Sequence, residues 1–140
     1  HKIWESEKYL AFLSIFPNTK GFTVVIPKEH HPSDLLSSEE TFFTEFLLVA
    51  KQVSQLLVKK LGVARCALII EGMGVDHAHI KLIPLHGTKS HTSRSTVIAH
   101  GVTAHVDKYF REYEGYVSSH DYIRATGEEL EKVARIIRDN

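Results

Sequence analysis

Two histidines one residue apart, followed at the same interval by a lysine, stand in the run His77-Ala78-His79-Ile80-Lys81-Leu82-Ile83-Pro84. Side chains two apart in an extended chain project to the same side. A strand here puts His77, His79 and Lys81 on one face and turns Ala78, Ile80 and Leu82 to the core. A neutral imidazole has a lone pair on one ring nitrogen and an N–H on the other, so it serves as nucleophile, base or metal ligand. An ammonium supplies positive charge and hydrogen-bond donors but no lone pair. The same alternation also describes an ordinary strand with one wet face, so the octet alone leaves these readings open.

Zinc is one competitor. His77 and His79 supply two nitrogen ligands, but a zinc site needs a third and an open position. His30 is one candidate and the sequence nominates none clearly, so no metal is expected. Cys66, the only cysteine, lies in the apolar run Ala64 to Ile70 and reads as a small core residue that cannot form an internal disulfide. His86, His91, His100, His105 and His120 are scattered through polar segments without ligand spacing and read as solvated. Tyr113, Tyr116 and Tyr122 read as packing a C-terminal segment against the sheet.

A second block lies upstream, Tyr9-Leu10-Ala11-Phe12-Leu13-Ser14-Ile15-Phe16-Pro17-Asn18-Thr19-Lys20-Gly21-Phe22-Thr23-Val24-Val25-Ile26-Pro27-Lys28-Glu29-His30. The two blocks, in this order and with a helix between them, cover residues 3 to 84. Together they resemble the histidine-triad superfamily of nucleotide hydrolases and transferases. In that family an apolar strand, a proline-bearing turn, a second apolar strand and Ile-Pro-Lys-x-His precede a His-x-His-x-His run. Lys81 stands where the third histidine is usual.

The resemblance implies a small-molecule nucleotide substrate, no cofactor and a homodimer. It gives His79 the attack on an α-phosphate, forming a covalent nucleotidyl-histidine that water releases. His77 would hold the phosphate and the nucleophile, and the backbone near it would accept a hydrogen bond from the proximal ring nitrogen of His79. His30 matches the upstream histidine that approaches the phosphate. The adjacent His31 has no counterpart and reads as an exposed loop residue.

Ser14 and Ile15 fall at nucleotide-binding positions, and Gly72 and Gly74 can free backbone amides for phosphate contact. Ser14 replaces an acidic residue that grips the ribose hydroxyls, Ile70 replaces a polar residue, and the Gly72-Met73-Gly74 turn is shorter than the family's usual loop. Some branches carry glutamine at the Lys81 position and resemble nucleotidyl transferases. Three functions therefore stand. The first is a histidine-nucleophile hydrolase or transferase acting on nucleotidyl phosphoesters, phosphoanhydrides or phosphoramidates, such as dinucleoside polyphosphates. The second is a weakly active or non-catalytic nucleotide- or phosphate-binding protein, and the third a zinc enzyme using His77 and His79.

These residues need a scaffold. Ile3 to Glu5, Tyr9 to Leu13 and Gly21 to Ile26 read as strands, with turn chemistry in Phe16 to Gly21. Ser37-Ser38-Glu39-Glu40 is a capping-box pattern that opens a helix over roughly 37–61. Its stripe is Phe43, Phe46, Ala50, Val53, Leu57 and Leu61, Gly62 ends it, and Lys51, Lys59 and Lys60 are left exposed. Cys66 to Ile70 and His77 to Ile83 form a second strand pair. Gly87 to Gly101 reads as a polar surface loop and Thr103 to Glu112 as a helix.

Thr126-Gly127-Glu128-Glu129 is another capping-box pattern, opening a terminal helix with Leu130, Val133, Ala134 and Ile137 as its stripe. The expectation is one α+β domain over residues 1–140. It holds an antiparallel sheet of about five strands packed by the long helix, with the terminal helix outside that unit.

At 140 residues and 43% hydrophobic, the chain can bury a core of that size. Seventeen basic residues balance seventeen acidic ones, so the electrostatic footprint of a duplex-binding protein is missing and nucleic acid is not the expected partner. The longest apolar runs fall far short of a membrane span of ~20 residues, and the first residues carry no signal-peptide pattern. With one cysteine, a cytoplasmic setting is expected. His1 in place of methionine reads as a trimmed or tagged start, and no function is expected of it.

Overall fold

The computed structural model describes residues 1–88, 111 and 122–138. Among the described residues there are five strands: β1 (Lys2–Glu5), β2 (Tyr9–Leu13), β3 (Thr23–Pro27), β4 (Cys66–Ile69) and β5 (Ile80–Pro84). They form one antiparallel sheet in the order β1-β2-β3-β5-β4. Two α-helices among the described residues, α1 (Glu40–Leu61) and α2 (Gly127–Arg138), make the architecture α+β. All of the expected helix over Thr103 to Glu112 except Arg111, most of the loop over Gly87 to Gly101, Tyr113, Tyr116 and four of the scattered histidines lie outside the described residues.

Strict alternation along β2 and β3 aims Tyr9, Ala11, Leu13 and Val25 at α1. The helix answers with Phe46, Ala50, Val53 and Leu57, each fully buried, while Phe43 and Leu61 pack at the margin. Gly62 closes α1 with φ +64, a left-handed cap that glycine adopts without steric cost. Gly21 is needed for two reasons. Its φ is +82, and a Cβ there would stand 2.4 Å from the Leu61 Cδ1.

Three expectations need correction. The Ser37 capping box does not form: Leu35–Ser37 is a 3-10 turn that buries Leu35. The Ser37 hydroxyl donates to the Asp34 carboxylate at 2.7 Å and the Ser38 hydroxyl to the Leu35 carbonyl at 2.6 Å, so α1 starts only at Glu40. The terminal helix is not outside the unit either. It packs on α1 and β1 and puts Leu130, Ala134 and Ile137 into the main core.

Finally, β5 begins at Ile80, so His77 and His79 precede the strand instead of lying in it. Their local backbone donors are used elsewhere: His77 N–H bonds the Val75 carbonyl and Ala78 N–H the His31 carbonyl, both at 2.8 Å. The alternation nevertheless persists through this lead-in. Ala78, Ile80 and Leu82 are 0% exposed, while His77, His79 and Lys81 are half-buried.

Candidate functional site

Strand register sets the site. Val24 pairs with Lys81 and Val25 with Ile80, so the next step places His79 across from Ile26. Opposed residues of an antiparallel pair share a face. His79 and Lys81 thus lie over the half-buried side of the sheet, away from the core that α1 covers.

His79 Nδ1 donates to the His77 carbonyl at 2.8 Å. A carbonyl only accepts, so Nδ1 carries the proton and the lone pair of the neutral ring sits on Nε2. His77 is fixed in the same way, its Nε2–H donating to the Pro27 carbonyl at 2.9 Å. Its Nδ1 then faces His30 Nδ1 at 3.4 Å. The Asp76 carboxyl is held below the usual carboxylate range by the Ser33 backbone N–H, with the Ser33 hydroxyl and the nearby His30 and His77 adding to the effect. Asp76 Oδ1 accepts that N–H at 3.0 Å, which ties the loop before His77 to the chain after His31.

His31 departs from its reading as a loose loop residue. Its ring stacks on Phe42 with centroids 3.8 Å apart and planes 12° from parallel, and its carbonyl anchors Ala78. Lys81 is engaged as well: its Nζ donates to Glu71 Oε2 at 2.5 Å, the lysine half-buried and Glu71 on the exposed side of the pair.

The remaining predicted residues are not gathered here. Ser14 N–H bonds the Phe22 carbonyl at 2.9 Å, four residues along β3 from the position opposite His79, or roughly 13 Å at strand rise. Ile15 follows it, exposed, its carbonyl accepting from Ala125 N–H. Gly74, with φ +91, lies in the exposed loop before His77. His86 is not simply solvated, since its Nε2 donates to the Lys20 carbonyl at 2.9 Å. Burial pushes the Cys66 thiol up to about 12, which keeps it protonated and makes it a poor nucleophile.

Glu71, Asp76 and Ser33 escaped the sequence reading. A signal for Glu71 existed in the β4–β5 register. Ile69 pairs with Lys81, and Glu71, two residues on from Ile69, falls on the same face. For Asp76 and Ser33 there was none, because their contact spans 43 residues between two loops.

Among the described residues, no group of three or more His, Cys, Asp or Glu side chains has metal-binding geometry. Nor is any described helix long and apolar enough to cross a membrane.

The family model described as the HIT domain matches residues 1–88. This chain belongs to the HIT, or histidine-triad, family. An uncharacterised HIT-like protein of Borreliella burgdorferi is 38% identical over 92 residues, which are 60% of this chain and 65% of that protein. An adenosine 5'-monophosphoramidase of Schizosaccharomyces pombe is 35% identical over 83 residues, 59% of this chain and 62% of the enzyme. The chain thus spans less than two thirds of the length of these relatives. A hypothetical histidine triad nucleotide-binding protein of Sulfolobus tokodaii has the same fold. That likeness has a TM-score of 0.66 at 24% identity and covers 99% of this chain and 80% of the other.

Proposed function

We propose that this HIT protein is a hydrolase or transferase of nucleotidyl phosphates in which His79 Nε2 is the nucleophile. The observation that carries the reading is the bond from His79 Nδ1 to the His77 carbonyl, which fixes the ring and directs its lone pair outward. Nε2 makes no hydrogen bond among the described residues. It attacks the α-phosphorus, an N–P bond forms as the bond to the leaving group breaks, and water then cleaves N–P to free the nucleotide and the imidazole. Orientation of this kind contributes as much as basicity.

His77 and His30 are proposed to border the phosphate, and Gly74 to offer a backbone amide to it. Ser14 and Ile15, farther along the sheet, suit the nucleoside end of an extended ligand. The exposed Ile15 side chain offers an apolar surface to a base. The monophosphoramidase activity of the yeast relative supports this class of chemistry.

We also propose that the sheet and both helices act as one domain and that the chain forms a homodimer. In support, β4 is an outer strand of the sheet and presents the exposed Leu68. Turnover of AMP esters and anhydrides by the wild type and His79→Ala tests the catalytic proposal. Loss of at least about a thousandfold, or ~4 kcal/mol in barrier, with ligand binding retained, is expected. Unchanged turnover in the folded variant rejects it and leaves a binding protein. Stoichiometric zinc in the purified protein, with activity lost on chelation, would favour the metal reading instead.

A further inference from the structure

We infer that the Lys81–Glu71 pair selects substrates whose leaving group departs as an anion, and that Glu71 is the positioning residue that aims the Lys81 ammonium. The inference rests on His79 being the nucleophile and concerns what happens on the other side of the phosphorus. When His79 Nε2 forms the N–P bond, the electron pair of the breaking bond goes to the leaving group. A phosphate or an acidic phenol accepts that pair and leaves as an oxyanion, with no proton needed. An alkylamine must take up a proton to leave.

The groups around His79 are arranged to supply charge and not protons. The Nε2–H of His77 is committed to the Pro27 carbonyl and its Nδ1 faces His30. Lys81, two residues past His79 and on the same face, brings an ammonium. An alkylammonium is a far weaker acid than an imidazolium, so it holds its protons where a third histidine would release one.

Glu71 Oε2 accepts from Lys81 Nζ at 2.5 Å, fixing the place of the ammonium. An ammonium has three donors, so two remain to meet phosphoryl and leaving-group oxygens as negative charge builds on them, an effect that operates without proton transfer. Free rotation of an unpaired lysine would spread that charge over many positions. The ion pair confines it on the face that His79 shares.

The test compares two AMP derivatives, a p-nitrophenyl ester and a phosphoramidate of a primary alkylamine, so that base preference cancels in the ratio of their kcat/KM values. In the wild type the ester is expected to win by at least a hundredfold. Lys81→His, which supplies a titrating imidazole, should narrow the ratio at least tenfold by raising phosphoramidate turnover. Glu71→Gln should lower ester kcat about tenfold with KM and thermal stability little changed, and Glu71→Asp should recover part of the loss.

Equal turnover of the two probes by the wild type, or a ratio indifferent to both Lys81→His and Glu71→Gln, overturns this inference and leaves the nucleophile in place. Turnover that survives His79→Ala, or no turnover of either probe, overturns the nucleophile proposal and this one with it.

Discussion

The two sides of one short stretch, residues 77–82, obey different rules. Ala78, Ile80 and Leu82 are 0% exposed and join the core under α1. What matters there is volume, and the packed core around them fixes it. His77, His79 and Lys81 alternate with them, half-buried, and each is held by a named atom: the Pro27 carbonyl, the His77 carbonyl and the Glu71 carboxylate. One backbone alternation therefore serves packing on one side and directed hydrogen bonding on the other. Damage to the first should be read as stability and damage to the second as chemistry.

The largest expected contrast is between neighbours. Ile80→Ala should cost 2–5 kcal/mol of stability, roughly the range for emptying a buried aliphatic site. His79→Ala should cost about 1 kcal/mol or less, the worth of one hydrogen bond. Denaturant unfolding of both variants measures this. Equal losses would mean that the two sides are not separable.

A smaller effect separates the two helix starts. At Thr126 the box forms in full: Glu129 accepts from the Thr126 N–H at 2.8 Å and from its hydroxyl at 2.7 Å, and Thr126 Oγ1 accepts the Glu129 N–H at 3.2 Å. Thr126→Ala should cost about 1 kcal/mol, and Ser37→Ala should stay within about 0.5 kcal/mol. The Thr126 amide, then its hydroxyl, hold the Glu129 carboxyl below its usual range. A depressed folded value means that the stabilisation is present above the ordinary carboxylate range and is lost as pH falls through the folded value. The penalty of Thr126→Ala should therefore shrink in acid. Unfolding midpoints at neutral and acidic pH test it, and a penalty independent of pH would contradict the box.

Cys66 should show the smallest effect of all. Cys66→Ala is expected to leave turnover within about twofold. Alkylation of the native thiol should run more than about tenfold slower than in the unfolded chain, because only the thiolate reacts. Rapid native labelling would show that the thiol is not shielded.

Much of the fold was legible because the signals were periodic. The stripe through Phe46, Ala50, Val53 and Leu57, the alternation in β2 and β3 and the Gly62 cap each repeat one physical rule over several residues. The Ser37 box misled because a matching pattern does not secure its partner: Asp34, three residues upstream, takes the hydroxyl first. Placing α2 outside the core failed for a related reason. An amphipathic stripe states that a face will be buried and not against what.

At the site, the resemblance in residues 3 to 84 led to His30, His77 and His79. The alternation explained why His79 and Lys81 share a side. Asp76 remained hidden because its partner Ser33 is fixed by loop closure, which no local pattern encodes, whereas Glu71 follows only once the β4–β5 register is known. The strand start at Ile80 was missed because the backbone N–H groups before it bond outside the sheet, although the alternation of side chains continues.

The most direct measurement is to mix the protein with the p-nitrophenyl ester of AMP, denature it in alkali within one turnover, and map the adduct by peptide mass spectrometry. Nucleophilic attack by His79 leaves an AMP group on its imidazole, absent in His79→Ala. Sustained turnover with no adduct on His79, or an adduct on His30, His77 or Lys81 instead, would contradict it.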